Sequence, residues 1–145
     1  MYRTIVVGTD CSPTAERAVA KAAELAELTG AKLHLVSVYH DASASLAAAS
    51  GAAMVASEWP DVAIREQGAR VDTIAAGLRA RGIDVDGRVE NGTPAVTLVA
   101  VADALGADLL VVGDRGLKGL RGVLGSVPNR VTHRAPVDVL VVHTT

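Results

Sequence analysis

The run DLLVVG (residues 108–113) holds no polar side chain between Asp108 and Gly113. A strand with one wet face alternates apolar and polar positions, so an unbroken run predicts a strand covered on both faces, as in a parallel sheet flanked by helices. RTIVVG (3–8), AKLHLVSVY (31–39) and VDVLVVH (137–143) read the same way. A fifth segment, GIDVDGRVENG (82–92), alternates at Ile83 and Val85 and breaks at Gly87, which predicts an exposed edge strand.

Between these runs lie helical segments with legible ends. Ser12 caps a helix that opens on Pro13 and stops at Gly30, with Ala18, Val19, Ala22, Leu25 and Ala26 marking its apolar face. Thr93-Pro94 repeats that start and Gly106 that stop. A further helix is expected from about Asp61 to Arg81, ended by Gly82, and another from Gly125-Ser126 to about Arg134, with Pro128 in its first turn. Residues 41–60, DASASLAAASGAAMVASEWP, are Ser/Ala-rich and read as a surface insertion or a flap. The β-α-β-α-β-α-β-α-β order predicts one α/β domain over residues 1–145. It is a doubly wound five-stranded parallel sheet, strand order 3-2-1-4-5, with helices on both faces.

Such a sheet binds ligands beyond the carboxyl ends of its strands, where the order reverses; here that is between strands 1 and 4. The two rims are VGTD (7–10) and VVGDRG (111–116), and the second opens a stretch with glycines at 113, 116, 119, 122 and 125. Five glycines without further triplets or abundant proline are not collagen-like. They suit a backbone that turns tightly or lies close to a phosphate, and Gly125-Ser126 starts a helix whose free N–H groups favour an anion. Ser126 adds a hydroxyl, and Arg115, Lys118 and Arg121 add positive charge; the competing reading is a plain turn with a solvated basic face. Asp10, at the end of strand 1, repels phosphate and attracts hydroxyl or amino groups, which puts sugar or base over strand 1 and phosphates over strand 4. Its bland reading is a loop or cap aspartate.

TIVVGTDCSPTAERAV near the start and GDRGLKGLRGVLGSVPNRVTHRAPVDVLVV near the end resemble the universal stress protein family in its ATP-binding branch, over essentially the whole chain. The family's Gly-x2-Gly-x9-Gly-Ser/Thr signature is matched by Gly113, Gly116 and Gly125-Ser126 with eight intervening residues in place of nine, so the path around the terminal phosphates differs while both ends of the cradle stand. The resemblance implies that Asp10, with Gly8 and Thr9, contacts ribose or adenine, and that Val38 offers backbone groups to adenine. It implies that Gly113, Gly116, Gly125, Ser126 and Val127 form the phosphate cradle, beside the charge of Arg115. It further implies ATP, with or without Mg²⁺, as ligand, cyclic AMP as the alternative, and a homodimer through strand 137–143. A dimerisation scaffold that binds no nucleotide is the third reading, and the retained Gly125-Ser126 argues against it.

Little or no turnover is expected, because no GxxxxGK[ST] lysine is present and Asp10 and Asp114 are a thin basis for holding Mg²⁺. His34, His40, His133 and His143 show no metal-ligand spacing and are expected at the surface or at strand ends. A phospho-receiver domain has the same architecture but needs an acidic pair after strand 1, an aspartate after strand 3 and a lysine after strand 5. Asp10 alone, Asn91-Gly92 and His143-Thr144 stand there. A net charge of −2 and 2% aromatic residues give no footing for nucleic acid. The single cysteine, Cys11, fits a reducing compartment and reads as a small buried residue. With no signal-peptide pattern and no membrane-length apolar run, a cytoplasmic protein is expected.

Overall fold

A computed structural model describes residues 1–39, 59–116 and 137–144. The strands are β1 (Thr4–Gly8), β2 (Lys32–Tyr39), β3 (Val85–Asn91), β4 (Leu109–Gly113) and β5 (Asp138–Val142); the helices are α1 (Ala15–Thr29), α2 (Trp59–Ala80) and α3 (Pro94–Ala104). One 3-10 turn, Asp114–Gly116, follows β4. The sheet runs β3-β2-β1-β4-β5 with every pairing parallel, which is the order read from the sequence. The helix expected from residue 125, and the segment 41–58, lie outside the described residues.

The period-two geometry of strands divides the core in two. Ile5, Val7, Leu33, Leu35, Leu109 and Val111 face α1 and α2, meeting Ala18, Ala22, Val71 and Ala75. Val6, Val36, Leu110 and Val112 face α3, meeting Leu98, Val99 and Ala102. The Ala-rich stripe of α1 lets that helix lie close to the sheet, and its chain stops at Gly30, whose φ of +71° is open to glycine at little cost. Regular α1 begins at Ala15, three residues after the expected cap. The capping bond is nonetheless made, because Ser12 Oγ accepts the Ala15 N–H at 3.2 Å.

At the other end of the sheet, Asp108 Oδ2 accepts the N–H groups of Arg3 (2.7 Å) and Thr4 (2.9 Å), and these bonds hold its carboxyl below the usual range. They pin the start of β1 to β4 and so fix the register that aligns the functional ends of both strands.

His34 departs from the sequence expectation. It lies inside β2, only 6% exposed, where the surface or a strand end was expected, and its Nδ1 is buried with no hydrogen-bond partner among the described residues. Burial, then the positive charges of Arg88 and Lys32, lower its pKa, with Asp86 and Asp84 opposing. A folded pKa below the unfolded value of 6.5 means the unfolded chain binds the proton first, so stability is lost as pH falls from about 6.5. His34→Leu is expected to flatten that slope, by up to about 1.4 kcal/mol per pH unit. Urea unfolding at pH 7.5 and 5.5 reads it, well above the range where Asp86, Asp108 and Asp114 protonate.

Candidate functional site

The order reversal between β1 and β4 opens a cleft at the carboxyl ends of the strands. β1 pairs with β2 only as far as Gly8 opposite Val36, with Thr9 N–H adding one 2.9 Å bond to the Val36 carbonyl. The chain then turns away into α1, while β2 runs on to Tyr39, paired with β3 through Asn91. The resulting cavity of about 270 Å³ has an apolar floor of Val36, Val38, Leu98 and Val112. Thr9, Asp10, Ser12, Thr14, Arg115 and Thr144 supply its polar lining, and Gly8 and Gly113 its bare backbone. An apolar slot with a few polar groups is the usual construction of a small-molecule site.

The β1–α1 turn is tightly specified. Thr9 is buried and its Oγ1 accepts the Cys11 N–H at 3.0 Å; Asp10 Oδ1 accepts the Ser12 N–H at 2.9 Å; Ser12 Oγ and Thr14 Oγ1 share a hydrogen bond of 3.0 Å. Asp10 is thus both the loop aspartate and an exposed lining residue, and one accepted bond leaves its carboxylate capacity for ligand hydroxyls. Cys11 takes a left-handed φ of +62°, which directs the chain from strand to helix. Burial raises the pKa of its thiol, opposed by a hydrogen bond with Ser37, and the residue is half-buried where the sequence reading had it buried. Ser37, fully buried, also accepts a bond from Gln67 Nε2, tying the turn's surroundings to α2.

On the opposite rim, Asp114 does something other than wait for a cation. Thr144 donates its hydroxyl to Asp114 Oδ1 at 2.5 Å, and His143 Nδ1 lies 3.1 Å from Oδ2. The Thr144 hydroxyl bond is the largest cause holding this carboxyl below the ordinary range. Among the described residues no three His, Cys, Asp or Glu side chains gather as a metal site, and Asp10 and Asp114 each have protein partners.

Of the residues named from the sequence, Gly8, Thr9, Asp10, Val38, Gly113 and Arg115 line this one cleft. Gly116 ends the adjoining 3-10 turn, whereas Gly125, Ser126 and Val127 lie outside the described residues. Sequence reasoning missed Ser12 and Thr14 as lining groups, Val36 and Leu98 as floor, and Thr144 as wall. The first pair carried a signal, since residues at the start of a helix after strand 1 face the same crevice as the strand end. Thr144 carried none, because only the β4–β5 register (Gly113 opposite Val142) brings it beside Gly113.

No helix among the described residues is long and apolar enough to cross a membrane. The chain is 42% identical to the universal stress protein Rv1636 of Mycobacterium tuberculosis over 149 residues, covering 99% of this chain and 98% of the relative. It superposes on a universal stress protein solved in complex with cAMP with a TM-score of 0.67 at 36% identity, covering 99% of both chains. It superposes on the protein MJ0577 with a TM-score of 0.73 at 25% identity, over 100% of this chain and 98% of the other. The model of the universal stress protein family matches residues 1–143, and the chain accordingly belongs to that family.

Proposed function

We propose that residues 1–145 form one adenine-nucleotide-binding domain, with ATP as ligand, that acts as a nucleotide-dependent stress-response or signalling module with little or no turnover. The convergence of Gly8, Thr9, Asp10, Val38, Gly113 and Arg115 on a single cleft is the observation that carries this reading. The apolar floor suits a base, and the carboxylate of Asp10 suits ribose hydroxyls. Arg115, with the proposed cradle of Gly116, Gly125, Ser126 and Val127, suits phosphates. Cyclic AMP is the second reading, favoured by the relative solved with that nucleotide.

Titration calorimetry with ATP, cyclic AMP and GTP tests the assignment. Tight binding of an adenine nucleotide is expected, and binding of none would leave the dimerisation scaffold. Asp10→Ala is expected to weaken ATP by about tenfold, the scale of a hydrogen bond to a charged group, while leaving inorganic triphosphate within about twofold. Asp10→Asn, which keeps the turn's acceptor oxygen, separates the loop's shape from the carboxylate's charge. Equal losses for ATP and triphosphate would move Asp10 to the phosphate end.

The reading extends to a homodimer through strand 137–143. Among the described residues β3 and β5 are the two edges of the sheet; β3 is guarded by Asp86, Arg88 and Glu90, whereas β5 after Asp138 is Val139, Leu140, Val141 and Val142 with all four at least partly exposed. Sedimentation velocity reads the state directly. A cytoplasmic location, without nucleic-acid or membrane partners, completes the proposal; the lone cysteine and the small net charge support it.

A further inference from the structure

Two residues beyond β5, Thr144 is polar yet only 5% exposed. Its backbone N–H donates to Asp114 Oδ1 at 3.4 Å, the oxygen that already accepts its hydroxyl, and His143 Nδ1 sits by the other oxygen. Three contacts from residues 143 and 144 thus converge on one carboxylate, and that carboxylate belongs to the residue next to Gly113.

The consequence is geometrical. Threonine is branched at Cβ, so once Oγ1 is held the place of its methyl follows. That methyl lies 3.0 Å from where a Cβ on Gly113 would sit, and both Gly113 and Thr144 line the cleft. We infer that Asp114 is a positioning residue for the cleft: by holding the Thr144 hydroxyl it fixes the Thr144 methyl against Gly113 and so shapes the β4–β5 wall. The inference rests on the nucleotide reading of this cleft. It gives Asp114 a task different from cation binding, and it ties the ligand wall to the edge strand, since Thr144 lies two residues past the end of β5. A carboxylate held below its ordinary range stays charged at neutral pH, which keeps it a strong acceptor for that hydroxyl.

The test is a double-mutant cycle read by calorimetry with ATP and cyclic AMP on the full chain. Asp114→Ala and Thr144→Val, the latter nearly isosteric, are each expected to weaken whichever probe the parent binds by about tenfold, and the double variant by about the same factor, because both remove the Thr144 hydroxyl bond that places the methyl. A nuclear Overhauser contact between the Thr144 γ-methyl and the Gly113 α-protons is expected in the parent and lost in Asp114→Ala, a readout that a general loss of stability would not produce. Parent-like binding by Thr144→Val overturns the inference even where Asp114→Ala fails to fold, as do losses that multiply to about a hundredfold or a methyl contact that survives in Asp114→Ala. A parent that binds neither probe overturns the nucleotide reading and this inference together, whereas a parent that binds with undiminished variants overturns this inference alone.

Discussion

Gly113→Val is expected to weaken binding of both ATP and cyclic AMP by about tenfold to a hundredfold while leaving the free protein folded. Gly113 is the last residue of β4 and lines the cleft at its junction with the 3-10 turn. It has an ordinary negative φ, so the backbone accepts a side chain there, and valine favours strands. The obstacle is space. A Cβ at Gly113 meets the Thr144 methyl at 3.0 Å, a contact in which one of the two must give. The two further methyls of valine then push Thr144 aside or enter the volume proposed for the ligand. Overpacking typically costs about 1–3 kcal/mol, and each 1.4 kcal/mol of it that falls on the bound state is a factor of ten in affinity. Calorimetry with both nucleotides measures the loss, and the ligand-free melting temperature separates it from unfolding. Gly113→Ala should fall between, because a single methyl needs only a small shift of Thr144. Parent-like binding by Gly113→Val in a folded protein would place the nucleotide away from β4.

That prediction uses a residue visible in the sequence and a neighbour that was not. The strands were legible because buried parallel strands read as continuous apolar runs, and the helix ends because Ser12, Gly30, Thr93 and Gly106 are punctuation with a steric cause. From strand order alone the cleft could be placed at the ends of β1 and β4, and so Gly8, Asp10 and Gly113 were found. Thr144 and Leu98 reach the same cleft through tertiary register, which no local pattern encodes. His34 was misplaced for a related reason: a single imidazole inside KLHLVSVY does not announce whether its face is wet, and here that position is buried. Ser37, polar in the same run, has its buried hydroxyl satisfied by Gln67 from a helix thirty residues on.

Gly87 is the sharpest case of a residue whose sequence reading and structural role differ. In GIDVDGRVENG it read as the point where alternation breaks, a weak spot in an edge strand. In the structure β3 continues unbroken through Gly87, paired opposite Leu35, and the missing side chain makes room for α2. A Cβ built there lies 2.5 Å from Val71 Cγ1 and 3.7 Å from both the Val71 carbonyl oxygen and Ala75 Cβ. Val71, a residue of α2, is itself 1% exposed and packs against the sheet. Strand propensity favours valine over glycine, so a surface argument predicts that Gly87→Val stabilises. Packing predicts the opposite sign and a larger effect. The added side chain must lift α2 from β3 or turn Val71 out of its rotamer, and the expected loss is about 3 kcal/mol, near the upper end for overpacked cores. Urea unfolding with a shared slope measures it. Val71→Ala removes the colliding methyl, so the double variant should be more stable than the sum of the two single losses predicts, by at least about 1 kcal/mol. Additive losses, or a Gly87→Val protein as stable as the parent, would mean that α2 yields freely at this contact and that glycine here is only the interruption it resembles in the sequence.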